Sequence, residues 1–205
     1  MFIPRHPVVE NQFCQFATTS GTAGIGGVLA YAGAVCYLVY HSTNQDAIVD
    51  IYGATAPDHV GDQRDPFGFL MQKVKAGYHQ VHPTGFMMPG DLGSSDVIAQ
   101  PSYSTAGEIN GTKEAPVGVA HLGIWDTIHY TVATPGTDFF GPGEILDVAA
   151  GGAAAYTGGR VTHDANNMTA VTAHVAKVVK GASAAQVQAN INNTTLYPIR
   201  IKLLI

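Results

Sequence analysis

Nine histidines in a chain of 205 residues make metal binding the first chemistry to test. His79 and His82 stand three apart, and Asp91 is the next carboxylate along the chain. Two close histidines, a carboxylate and a distant histidine would be the ligand set of a cupin-like metal barrel. The spacing argues against it: on a strand, residues three apart point to opposite faces, whereas a catalytic zinc gathers its protein ligands on one side. His41, His59, His121, His129, His163 and His174 each stand without a partner at ligand spacing. The expectation is no metal and no cofactor, with a cupin-like metalloenzyme built on His79 and His82 as the alternative from the enzyme class.

Nucleophilic catalysis has a weaker case. His163-Asp164 could supply a base and its carboxylate, with Ser94, Ser95 or Ser104 as nucleophile. None of these serines lies in a G-x-S-x-G elbow, and adjacent residues rarely hold the geometry a triad needs. Asp164-Ala165-Asn166-Asn167 reads instead as a tight turn, in which Asp and Asn bond their own backbone. Gly24-Ile25-Gly26-Gly27 resembles part of a dinucleotide loop. The third glycine position is Leu29, however, and no helical period follows. Asn110, Asn167 and Asn192 begin glycosylation triplets, which carry little meaning without a secretory signal. Cys14 and Cys36 are too few for a disulfide framework, and Cys36, in an apolar run, reads as an inert buried thiol. No catalytic residue emerges, and the chain does not read as an enzyme.

Composition narrows the class. Hydrophobic residues make up 46% and charged ones only 12%, so the chain can bury a core yet has an unusually uncharged surface. A surface that poor in charge points to one covered by partners. The net charge of -5 argues against nucleic acid, which needs a basic face. No charged residue occurs between Glu10 and Asp46, but the glycines at 24, 26, 27 and 33 and the cluster Val35, Tyr37, Val39, Tyr40 favour strand over a membrane-spanning helix. Glu10 and the polar stretch after it also spoil a secretory layout, so residues 1–20 are expected to persist as an arm.

The elements that would position any site are β-strands. Gly 24 and Pro 11 punctuate the chain, and period-two segments run between turn signals, as in barrels and sandwiches. The expected organisation is an extended N-terminal arm over 1–20, a β-strand extension over 21–65 and a β-rich domain over 66–205. Strands are expected at 26–40, 47–52, 125–133, 171–179 and 196–205. The pattern Pro-apolar-Gly-apolar recurs at Pro66-Phe67-Gly68-Phe69 and Pro116-Val117-Gly118-Val119, a hint of duplication. Residues 181–193 are the one plausible helix, with strand equally compatible. The fold class is therefore all-β, a β-barrel or β-sandwich of short strands. Trp125 is expected in the core. Phe139, Phe140, Met87 and Met88 in turn-rich connections, with Phe2, Ile3, Phe13 and Phe16 of the arm, are the candidate interface residues.

The stretch Val148-Ala149-Ala150-Gly151-Gly152-Ala153-Ala154-Ala155, then Gly159-Arg160-Val161-Thr162 and Asp164-Ala165-Asn166, resembles the capsid decoration (cement) proteins of tailed bacteriophages. Pro116-Val117-Gly118-Val119-Ala120 is similar to the lead-in to that half, so the likeness covers roughly 66–205. It implies a virion protein on the outside of an icosahedral head, bound to the major capsid protein, self-associating (often as trimers) and assembled in the host cytoplasm. It carries over no catalytic residue. The runner-up within this class is another phage structural component, such as a tail, fibre or shell subunit.

Overall fold

The computed structural model describes residues 2–4, 11–16, 28–38, 48–51, 66–76, 97–99, 116–149, 158–163 and 171–205. Among them the fold is all-β with one short helix. In chain order the strands are β1 (Phe2–Pro4), β2 (Asn11–Phe16), β3 (Val28–Ala30), β4 (Val35–Leu38), β5 (Ile48–Ile51), β6 (Pro66–Leu70), β7 (Val74–Ala76) and β8 (Val97–Ala99). Then come β9 (Pro116–Ala120), β10 (Ile124–Thr127), β11 (Ile145–Val148), β12 (Val161–Thr162), β13 (Val171–Lys180), helix α1 (Ala184–Ile191) and β14 (Ile199–Leu203).

They form a six-stranded sheet in the order β1-β10-β14-β13-β11-β12, a closed barrel β2-β5-β4-β6-β9 and a three-stranded sheet β3-β7-β8. The barrel draws strands from both sides of residue 65, and β1 and β2 each pair within a sheet.

Period-two burial explains the six-stranded sheet. In β14 the side chains of Ile199, Ile201 and Leu203 point into the core while Lys202 faces out, as alternation across a pleat requires. Trp125 of β10 is fully buried, and its indole N–H donates to the Leu122 carbonyl at 3.0 Å. Phe2 lies flat on Trp125, with ring centroids 4.4 Å apart and planes 4° apart, and stacks on Phe69 of the barrel at 5.6 Å. One aromatic thus joins β1, the sheet and the barrel. A second cluster fills the barrel with Cys14, Cys36, Val49, Leu70, Val117 and Val119. Burial pushes both thiols up, so they stay protonated and unreactive.

The two Pro-apolar-Gly-apolar segments are β6 and β9, which are antiparallel neighbours with Phe69 opposite Ala120 and Leu70 opposite Val119. Gly68 is required by that approach, since a Cβ there would overlap the Val119 side chain. Gly159 serves a different need. Its φ of +67° turns the chain into β12, and its carbonyl accepts the Val35 N–H at 2.8 Å, tying barrel to sheet.

The segment whose pattern suits helix and strand equally is helical, and its start is capped. Gln186 Oε1 reaches back to accept the Ser183 N–H at 3.0 Å, half of a capping box. Val187 and Asn190, one turn apart, then face inward. The Asn190 amide bridges the chain just after β10 and the chain just before β14, donating to the Ile128 carbonyl at 2.9 Å and accepting from the Tyr197 N–H.

Candidate interaction surfaces

The eight side chains expected at an interface separate sharply. Phe2 is 5% exposed inside the stack just described, which corrects its reading as an arm contact: β1 pairs with β10, and pairing turns Phe2 into the core. Phe140 is corrected in the same way, being buried with its ring edge-on to Tyr130 at 5.0 Å and to His163 at 5.2 Å. Its backbone bridges to Ala182, which directs the side chain inward. Phe139, one residue earlier, is 55% exposed. Ile3, Phe13 and Phe16 lie on strands paired with Asp126, Gly118 and Val49, and their side chains are not among the described ones. Met87 and Met88 fall outside the described residues.

The same is true of His79, His82 and Asp91, of Ser94, Ser95 and Ser104, and of Asp164. Among the described residues no three metal-ligating side chains cluster, and no helix is long and apolar enough to cross a membrane.

A groove of about 420 Å³ opens between the corner at Tyr31, the chain after β10 and the end of α1. Tyr31, Ile128, His129, Arg160, Asn193 and Leu196 are among its walls. Its histidine is already engaged. His129 is buried and its Nε2 lies 2.8 Å from the Gly158 carbonyl, so the ring is the neutral tautomer that donates there. Burial pulls its pKa down to about 4, with the Arg160 charge adding to the effect and the Gly158 bond opposing it. A group that is uncharged and hydrogen-bonded at neutral pH is a poor proton shuttle. Tyr130, deeper in, donates its hydroxyl to the Tyr197 carbonyl at 2.6 Å. With the Asn190 amide also engaged at both ends, the groove offers the surfaces of Tyr31 and Leu196 for recognition, and the polar groups of His129, Tyr130 and Asn190 are spent on the fold.

Exposed apolar side chains mark the rest of the surface: Phe139, Leu196, Leu122, Leu204, Ile145, Val179, Leu38 and Tyr31. Leu122 and Leu204 flank the bond from the Leu203 N–H to the Gly123 carbonyl, at the end of the β10–β14 pair. Tyr31 and Leu196 stand at the groove. Phe139 is exposed, and the sequence alone missed the groove and the leucine pair, since each joins residues more than 80 positions apart.

No family model, curated protein or solved structure matches this chain.

Proposed function

We propose that this chain is a structural virion protein, a decoration (cement) protein that binds the outer surface of a tailed-phage head and bridges its capsid subunits. The observation that carries the reading is the set of large apolar side chains left on loop tips and sheet ends, led by Phe139 and Leu196, on a chain only 12% charged. Exposed apolar groups of this size mark surfaces that a partner covers. The engaged histidine and amide of the groove favour a binding role over a catalytic one. Copies associating with each other and with the major capsid protein would each contribute little. Tethered on one shell their contacts act at high effective concentration, and the sum is large.

The test is to mix purified protein with expanded heads lacking it and sediment the mixture. Saturable co-sedimentation at a fixed copy number per capsid subunit is expected. Protein that stays in the supernatant at every ratio would sink the reading.

A further inference from the structure

Residues 134–144, reading TPGTDFFGPGE, lead into β11 and are held in place by their own hydrogen bonds. The Thr134 N–H donates to Asp138 Oδ2 at 2.7 Å, and the Asp138 N–H donates back to the Thr134 carbonyl at 3.0 Å. Phe140 and Ala182 exchange both backbone bonds, at 3.0 and 3.1 Å. The Gly141 N–H donates to Glu144 Oε2 at 2.9 Å. Between these anchors stands Phe139, the most exposed large apolar side chain among the described residues. Its ring lies beside Gly141 and is not among the walls of the groove. A bare aromatic ring on a loop already fixed loses little freedom on docking, which is what an anchor residue needs.

The groove has the complementary form. Tyr31 and Leu196 are exposed on it, and Ile128 and Ile191 add aliphatic surface. Its 420 Å³ lies toward the small end of the roughly 300–1,000 Å³ usual for binding pockets. That room suits one aromatic side chain and its neighbours. Charge agrees with shape. The groove walls include one cationic residue, Arg160, and no carboxylate, whereas residues 134–144 carry Asp138 and Glu144 and no Lys or Arg. Nothing in the groove therefore repels the loop. Knob and groove both lie on described, accessible side chains of the same chain, so each copy supplies what the other lacks.

We propose that Phe139 of one copy seats in the Tyr31–Leu196 groove of a second copy. Two different surfaces meet, so the contact is head-to-tail, and it closes into a ring where the rotation allows. One aromatic anchor burying about 150–250 Å², with the rim of its loop, is small beside the usual ~800 Å² per partner. The association is therefore weak, and it depends on the single anchor.

Only the expectation that copies associate is taken from the proposed function, and the test uses no capsid. Phe139→Ser removes the knob and keeps the groove. Leu196→Asp keeps the knob and puts a carboxylate where Asp138 and Glu144 must approach. Both side chains are more than half exposed, so urea melts of the two variants should match the wild type. Mass is then measured by sedimentation equilibrium across protein concentration. The wild type should grow with concentration, and each variant alone should associate at least tenfold more weakly. An equimolar mixture of the two variants retains one intact knob and one intact groove per pair, so it should form a dimer and stop there. A wild type that is monomeric at every concentration overturns the proposal. So does a variant that associates like the wild type, or a mixture that stays monomeric. Protein that ignores phage heads while the mixed variants still pair would sink the cement reading and leave this contact standing.

Discussion

Phe2 decides whether the first strand belongs to the folded chain or waits for a partner. Its ring is buried and stacked face to face on Trp125 and Phe69. Truncating a buried phenylalanine to alanine costs about 3–5 kcal/mol in transfer and cavity terms, including about 0.5–1.5 kcal/mol for each aromatic pairing removed. At about 1.4 kcal/mol per decade, the folded-to-unfolded ratio should fall by a factor of about a hundred to a few thousand. With a urea slope of about 2 kcal/mol per molar, the midpoint of Phe2→Ala should drop by about 1.5–2.5 M. Trp125, the single tryptophan, reports the transition and should also emit to the red before unfolding, because its covered face is opened. Phe2→Leu keeps most of the volume and should cost about 1.5 kcal/mol or less. If Phe2→Ala moves the midpoint by under about 0.5 M and leaves the emission alone, β1 is not docked in the free protein. The assignment of Phe2 to the core would then be wrong.

Two further outcomes are expected. His129 has a folded pKa of about 4 against an ordinary 6.5. As pH falls from 6.5 to 4 the unfolded chain takes up a proton that the folded one refuses, which removes about 3 kcal/mol of stability. Asp50, raised by burial to about 6, acts with the opposite sign between pH 6 and 3.8, so the wild type should show a shallow profile. His129→Gln should become more stable on acidification through that window, and an unchanged slope in urea melts at stepped pH would refute the assignment. The neighbours Phe139 and Phe140 should behave oppositely. Phe140→Ala should lose about 3–5 kcal/mol of stability, whereas Phe139→Ser should change stability by no more than about 0.5 kcal/mol and weaken head binding in co-sedimentation.

What was legible in the sequence was what is local. Alternation in Ile199 to Leu203, the buried Trp125, the sealed Cys36 and the turn chemistry around Gly159 all follow from neighbours within a few positions. Phe2 and Phe140 were not legible, because their surroundings are rich in Pro and Gly and read as loops. Their burial is decided by pairing with Thr127 and with Ala182, far along the chain. That Lys177 stands opposite Lys202 is a matter of register between two strands separated by a helix, and composition cannot express it. The helix shows the reverse case: strand and helix patterns balanced over 184–191, and a single capping glutamine accompanies the helical outcome.

Among the described residues, strand β10 is the only hydrogen-bonded neighbour of β1, and its other neighbour is β14. On the ribosome, β1 is made first and the sheet that holds it is completed last. At about 5–20 residues per second, roughly 10–40 s separate the emergence of Phe2 from that of Ile199. Over that interval the first strand has no finished sheet to join, and its aromatic ring is open to chaperones or to the wrong strand. Contacts this distant in sequence also slow the search for the native state. The completed sheet is therefore a late event, and a chain interrupted before Ile199 should carry its first strand unplaced.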